Sequence, residues 1–180
     1  MSLVISLPAW LELANRQTLT FADDSAAMQF VLSLAQRNID DGGGPFAAAV
    51  LSPSGALIAA GVNRVVSAGS SVLHAEMLAL MLAQQKIGTH DLSTAGCFTL
   101  VTSCAPCAMC LGAIPWSGVQ RVVCGARGED AERVGFDEGD KPDRWQQHLE
   151  ARSIQVAEDV CREQAVVILQ AYQGLGSARY

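Results

Sequence analysis

A histidine and two cysteines, held in two short motifs, constrain this chain more than any other feature. His74 and Glu76 stand two residues apart in the first motif, and Cys107 and Cys110, preceded by Pro106, form the second. A structural zinc site usually has four protein ligands, whereas a catalytic site has three and leaves a position for water. His74, Cys107 and Cys110 supply three ligands, and Glu76 follows closely enough to exchange protons with that water. The pattern predicts a catalytic zinc site.

Both motifs are expected at the beginning of a helix. Cys107 and Cys110 are three residues apart, a spacing that places both sulfur atoms on one face of a helical turn. Pro106 suits the start of such a turn, where its missing N–H is not needed. His74 is expected to begin another helix. Since a helix N-terminus favours thiolate over thiol, two helix N-termini meeting at one cation is the expected layout.

Two other metal sites would use Cys104. It could complete a closed Cys3His zinc site, which would be structural. Together with Cys107 and Cys110 it also matches the first three positions of a bacterial iron–sulfur motif, but Ile114 stands where the fourth cysteine is needed. Because Pro106 directs the chain into a helix just after Cys104, we expect the Cys104 thiol to point away from the metal.

Composition favours one domain without a nucleic-acid or membrane partner. The 180 residues are 50% hydrophobic with a mean hydropathy of +0.24, which suits a single domain over residues 1–180. The net charge is −6, the pI is about 4.9, and the 12 basic residues form no run. Nucleic-acid binding depends on clustered Lys and Arg. No apolar run reaches the length of a membrane span.

The cysteines and the N-terminal segment predict a cytoplasmic location. Residues 3–13 are apolar, but they lack a basic start and contain Pro8, so they do not resemble a secretory signal. Three of the six cysteines lie in one tight cluster. This arrangement indicates metal or redox chemistry in a reducing compartment, rather than a disulfide scaffold.

Hydrophobic periodicity and turn residues predict alternating helices and strands. The first helix is expected to begin after a cap at Asp23 or Asp24 and to end at the glycines before Pro45. Two strands joined by a tight turn follow it. The predicted helices span residues 24–40, 74–85, 107–116, 143–151 and 160–172, and the predicted strands span residues 46–51, 57–62, 98–102, 119–125 and 154–157. This order predicts an α/β sandwich with a mixed sheet.

The two metal motifs together resemble those of the cytidine-deaminase-like superfamily, and other segments resemble the bacterial guanine deaminases within it. The glycine–proline segment at 43–46 and the cysteine motif at 106–114 are shared with the tRNA adenosine deaminases. Trp116 and the Gly-Phe-Asp segment at 135–137 favour the guanine deaminases. Ala105 departs from the pattern, because the superfamily usually has Glu before the proline of its cysteine motif.

The resemblance implies a three-layer α/β/α fold, a zinc cofactor and a homodimer. It also implies roles in binding a base. Phe46 would stack on the base, Asn63 would hydrogen-bond its edge, and the backbone at Ala75 would contact its ring. Trp116 would form a wall of the pocket. Tyr180, at the end of a glycine-containing tail, would cover the pocket.

The resemblance further places Asp137 or Glu138 beside the exocyclic amine of the substrate. The competing interpretation is that the acid-rich segment at 129–143 is an ordinary solvated loop. We expect a hydrolytic deaminase that converts a free amino-purine, guanine, to xanthine and ammonia, with Glu76 as the proton shuttle. The alternative enzymes are a tRNA adenosine deaminase, which needs a basic groove, and a deaminase of amino-triazines, pterins or nucleosides. A structural metal-binding module would need four protein ligands and no role for Glu76.

Overall fold

A mixed five-stranded sheet with helices on both faces forms the framework of the protein. The computed structural model describes residues 5–176 and 178. Within this part the strands are β1 (Ala47–Leu51), β2 (Leu57–Val62), β3 (Thr99–Cys104), β4 (Arg121–Ala126) and β5 (Gln155–Ala157). The helices are α1 (Ala9–Arg16), α2 (Asp24–Asp40), α3 (Val65–Ala68), α4 (Ala75–Ile87), α5 (Ala108–Ser117), α6 (Gly128–Arg133), α7 (Trp145–Glu150) and α8 (Arg162–Gly174).

The sheet combines an antiparallel and a parallel half. Its strand order is β2-β1-β3-β4-β5. β1 pairs antiparallel with β2 and β3, whereas β3, β4 and β5 run parallel. The parallel connections contain helices, as parallel strands require. The predicted α/β/α sandwich with a mixed sheet is therefore confirmed.

Each face of the sheet contributes to a separate apolar core. Along β1, Ala47 and Ala49 face one core while Ala48 and Val50 face the other, and all four are buried. A strand covered on both faces has no reason to alternate apolar with polar residues. Helices α2 and α8 pack on the first face, and helices α5 and α7 contribute to the core on the second.

At one end of the sheet, the termini of three strands lie side by side. β3 ends at Cys104, just before the cysteine motif. Since β1 is antiparallel to β3, with Ala48 opposite Thr102, the start of β1 lies beside the end of β3. The pairing of Ala47 with Val62 brings the end of β2 to the same place. Ligand sites in open α/β sheets lie at the carboxyl ends of parallel strands, so a functional site is expected at this end of the sheet.

The predicted elements are all present, with boundaries within two residues of those expected. The sequence patterns did not predict α1, α3 or α6. The interpretation of residues 129–143 as a solvated loop is wrong in part, because α6 lies there and Asp130 and Glu138 are buried. Asp130 is stabilised in the interior by ion pairs with Arg133 and Arg162, at N–O distances of 2.8 Å each. Among the described residues, no helix is long and apolar enough to cross a membrane.

Candidate active site

The three predicted metal ligands lie together. Nδ1 of His74 and the sulfur atoms of Cys107 and Cys110 are all within 4.8 Å of one another. The distance from His74 Nδ1 to Cys107 Sγ is 3.5 Å. Zinc bonds of about 2.3 Å to sulfur and about 2.1 Å to nitrogen, at a tetrahedral angle, would separate these atoms by about 3.6 Å. The donor set and its spacing therefore fit zinc.

The starts of two helices bring these ligands together. His74 is the N-cap residue of α4, and Cys107 is the N-cap residue of α5, with Cys110 one turn further on. The position of α4 depends on Gly61 in β2, where a Cβ atom would lie 2.5 Å from the Ala75 carbonyl oxygen. Any larger residue would push the start of α4, and His74 with it, away from the sheet.

The two thiols shift each other's pKa in opposite directions. A hydrogen bond from Cys110 lowers the pKa of Cys107 to about 4, and a further hydrogen bond with His74 acts in the same direction against the effect of burial. The same pairing with Cys107 raises the pKa of Cys110. Burial lowers the pKa of His74, but the hydrogen bond with Cys107 and the Glu76 charge raise it overall. Binding of a cation requires the deprotonated forms of these ligands and therefore releases protons.

Glu76 lies in the first turn of α4 and is buried, with 7% of the residue exposed. Burial, followed by the negative charge of Cys107, raises the pKa of Glu76 to about 7. A dication held by the three ligands opposes that rise. A carboxyl group with a pKa near neutrality can both accept and donate a proton.

A pocket at this end of the sheet is open to the ligand cluster and to several predicted substrate contacts. It combines aromatic, amide and acidic side chains with the metal ligands. Its lining residues are Phe46, Asn63, His74, Glu76, Cys104, Ala105, Cys107, Phe136, Asp137 and Glu138. An aromatic and polar lining of this kind suits a flat, polar ring.

Phe46 and Asn63 are positioned by the pairing of β1 with β2. They flank the paired residues at the ends of the two strands, and the Asn63 N–H donates to the Phe46 carbonyl oxygen at 3.0 Å. Asn63 Oδ1 accepts from the Val65 N–H at 3.2 Å, which fixes the plane of the amide. The Phe46 ring makes an edge contact with Phe136, with centroids 4.7 Å apart. Both predicted base contacts thus line the pocket.

Asp137 and Glu138 line the same pocket in different environments. Asp137 is exposed, and its Oδ1 accepts from the Gly139 N–H at 2.8 Å, so it shapes its own turn. Glu138 is buried and accepts from the Lys141 ammonium at 2.9 Å. Burial raises the pKa of Glu138, and Lys141 opposes that rise. Of the two, Glu138 has the burial expected of a group that faces substrate.

Two predicted substrate contacts, Ala75 and Trp116, are not among the described residues that line the pocket. The Ala75 side chain is fully buried at the start of α4, where backbone N–H groups have no partner within the helix. Trp116 lies on an outer face of α5 with 84% of the residue exposed, so within one chain it does not form the expected pocket wall. Tyr180 lies outside the described residues.

The C-terminal segment approaches the pocket through Tyr172 in α8. Its ring stacks on Phe136, with centroids 5.7 Å apart. Its hydroxyl group donates to the Ala178 carbonyl oxygen at 2.7 Å. These contacts connect the tail to a ring that lines the pocket.

Cys104 takes no part in the ligand cluster. Its thiol lies 3.5 Å from the Arg127 carbonyl oxygen and donates to it. Burial raises the pKa of this thiol well above its usual range, which keeps it protonated. Its environment therefore favours three protein ligands over a closed Cys3His site.

Asn38 is a site-forming residue that sequence reasoning missed. It is fully buried, and its amide donates to the carbonyl oxygens of Gly44 and Asn63 at 2.8 and 2.9 Å. It thereby holds together the two loops that carry Phe46 and Asn63. A polar residue on the apolar face of α2, one turn after the buried Ala35, was the available signal.

An α/β/α sandwich with an open Cys2His cluster and a buried carboxylate beside it defines a zinc-dependent hydrolytic class of protein. The family described as the cytidine and deoxycytidylate deaminase zinc-binding region matches residues 22–126. The chain belongs to this family.

Similar proteins include two guanine deaminases. The guanine deaminase of Bacillus subtilis is 39% identical over 108 residues, which cover 59% of this chain and 67% of that protein. The solved guanine deaminase from Nitrosomonas europaea is 49% identical, with a TM-score of 0.94 over 96% of this chain and 97% of its own. A structure solved in complex with 2,6-diaminopurine is also 49% identical, with a TM-score of 0.96 over 99% and 96% of the two chains.

Zinc content separates the open cluster from the closed one. We expect Cys107→Ser to lose zinc and Cys104→Ser to retain about one zinc per chain, because only Cys107 belongs to the three-ligand set. The two variants carry the same substitution three residues apart, so each controls for the other. Elemental analysis of the purified proteins measures the metal. Loss of zinc from Cys104→Ser would support the closed structural site instead.

Proposed function

We propose that the protein is a zinc-dependent hydrolase that deaminates a free amino-purine base, converting guanine and water to xanthine and ammonia. The observation that carries the proposal is the buried Glu76, placed next to a three-ligand cluster in a pocket with aromatic walls. A purely structural metal module has no use for a buried carboxylate in this position.

His74, Cys107 and Cys110 would hold the zinc ion. When bound, zinc lowers the pKa of water and so supplies a nucleophile at neutral pH. Glu76 takes a proton from the attacking water and delivers it to the ring nitrogen next to the amino-bearing carbon. It then takes the second proton from the hydroxyl group added to that carbon and delivers it to the amine. As the carbonyl double bond forms, the carbon–nitrogen bond breaks and the amine leaves as ammonia. Both transfers need a carboxyl group that titrates near neutral pH, which its burial favours.

The remaining pocket residues bind and orient the base. Phe46 stacks on the ring, and Asn63 hydrogen-bonds its polar edge. Glu138 lies beside the exocyclic amine and accepts a hydrogen bond from it. A pocket that pairs an amide and a carboxylate with the base discriminates strongly against bases that lack the matching groups.

Several observations favour guanine over the alternatives. The two guanine deaminases and the complex with 2,6-diaminopurine support a purine with an amino group at C2. A tRNA substrate needs a basic surface, whereas the charged residues lining the pocket include Glu76, Asp137 and Glu138. Amino-triazines, pterins and nucleosides are alternative small substrates.

The homodimer and the cytoplasmic location are part of the same proposal. Trp116 on α5 and Met81 on α4 are exposed apolar side chains that a second copy of the chain would cover, and this would give Trp116 a role at a subunit boundary. All six cysteines are without disulfide bonds, which suits a reducing compartment. The tail that ends at Tyr180 is proposed to cover the pocket and exclude water.

A substrate panel tests the proposed function. We expect ammonia release from guanine to exceed that from adenine, cytosine and cytidine. Of these compounds, only guanine is a purine that carries both a carbonyl group, at C6, and an amine, at C2, for the pocket to bind. Melamine, a pterin and a tRNA anticodon stem-loop extend the panel. Faster release from cytidine or from the stem-loop would overturn the substrate and leave only the family.

The two neighbouring acids of the pocket are distinguished by substitution. Glu138→Gln should lower turnover of guanine by about 10- to 100-fold, as loss of a hydrogen bond to a charged group costs about 1.5–3 kcal/mol. Asp137→Asn should change it by only about twofold, as is usual for exposed positions. Melting temperatures verify that both variants fold. Normal turnover by Glu138→Gln would remove Glu138 from the reaction.

A further inference from the structure

Lys141 is a nearly buried cation next to the candidate active site. Only 13% of its side chain is exposed, and its partner Glu138 is 8% exposed. We propose that Lys141 is a positioning residue, which holds the Glu138 carboxylate in place for the substrate amine. This inference rests on the proposed function, because it assigns Lys141 a task that is carried out through Glu138.

Three contacts fix the Lys141 ammonium group. It donates to Glu138 Oε2 at 2.9 Å and to the Pro106 carbonyl oxygen at 3.1 Å. It also lies over the ring of Trp145, 5.6 Å from the centroid, within the range of a cation–π interaction. An ammonium group with these partners has little freedom, so it can hold Oε2 at a defined position.

The same contacts connect Glu138 to the metal motif. Pro106, which accepts from Lys141, directly precedes Cys107. From the other side of that ligand, the Ala108 N–H donates to the Glu138 carbonyl oxygen at 2.9 Å. The Glu138 backbone is therefore bonded directly to Ala108, and its side chain is connected through Lys141 to Pro106, so both are positioned by the neighbours of Cys107. Displacing the ammonium group would release the side chain and leave the backbone contact intact.

Glu138 needs such a restraint because it borders two cavities. It lines the pocket with the metal ligands, and it also lines a polar cavity of about 450 Å³ on its other side. That second cavity is bordered by two cations, Lys141 and Arg127, and by four more acidic residues, Glu129, Glu132, Asp143 and Glu158. Among the described residues, Lys141 is the one whose side chain donates to the Glu138 carboxylate, so without the ammonium group that carboxylate would be free to rotate away from the substrate. Lys141 prevents this rotation by occupying Oε2.

Gly128, the first residue of α6, leaves room for this pair. A Cβ atom at Gly128 would lie 2.7 Å from Lys141 Nζ and 3.2 Å from Glu138 Oε2. Because Nζ is the far end of a flexible side chain, it would move aside rather than unfold the protein. Gly128→Ala is therefore a second way to separate the pair, and it changes no charge.

A double-mutant cycle in turnover tests the proposal. Lys141→Met should lower kcat for guanine by about 10- to 100-fold, as loss of a buried partner of a site residue typically does. Any change in KM should be no larger in Lys141→Met than in Glu138→Gln, because Lys141 acts on the substrate only through Glu138. In the Glu138→Gln background, Lys141→Met should lower kcat by less than about twofold more, since its target is already lost. Lys141→Arg should restore most of the turnover.

Matched controls separate positioning from folding. Lys86→Met removes the other lysine, whose ammonium donates to the Ile58 carbonyl oxygen at 2.9 Å, and should leave kcat unchanged. Gly128→Ala should lower kcat in the same direction as Lys141→Met while zinc content and melting temperature stay near those of wild type. If Lys141→Met fails to fold, Gly128→Ala and its combination with Glu138→Gln supply the cycle.

The outcomes distinguish this inference from the proposed function. Additive losses in Lys141→Met and Glu138→Gln, or normal kcat in Lys141→Met, would overturn the role of Lys141 while the substrate stands. If the wild-type protein does not deaminate guanine but deaminates another compound of the panel, only the assignment of the substrate is overturned. The double-mutant cycle is then measured with that compound. A wild-type protein that releases ammonia from no member overturns both.

Discussion

The close approach of α4 to β2 is the constraint on which the site depends. With no side chain at Gly61, the helix lies against the strand so tightly that a Cβ atom would come within 2.5 Å of its backbone. That contact places His74 opposite the start of α5. Cys107 lies there because it follows the end of β3, in the parallel half of the sheet, and caps α5. The metal ligands are thus fixed by backbone packing between a strand and two helices, which is more rigid than a loop-borne site.

The clustering of acidic groups around one pocket explains much of the local chemistry. Cys107, Cys110, Glu76 and Glu138 are all acids at or near the pocket, and three of them are buried. Isolated buried charges are very costly, so each needs a cation or a proton. A zinc ion would neutralise the two thiolates, and Lys141 neutralises Glu138. Glu76 is then the acid without a dedicated cation, which suits a group that must exchange its proton repeatedly.

The sequence predicted the five strands, the helices other than α1, α3 and α6, and the ligand cluster, because all of these depend on local patterns. Short segments of sequence are enough to recognise helix caps, apolar periodicity and the motifs that contain His74, Cys107 and Cys110. The support around the site was not predictable in this way. Asn38 and Lys141 act on segments that only the fold brings to them, and the exposed position of Trp116 depends on how α5 is oriented against the sheet. The acid-rich segment at 129–143 looked solvated because its arginine and lysine partners lie partly elsewhere in the sequence.

The central claim is that Glu76 is a proton shuttle next to an open zinc site, and one variant tests it directly. Glu76→Gln keeps the shape of the side chain and removes its ability to exchange protons. Purified Glu76→Gln should carry as much zinc as wild type and release ammonia from guanine at least about 10²-fold more slowly, the lower bound of typical general acid–base contributions. Turnover near that of wild type, in a variant that retains its zinc, would contradict the account.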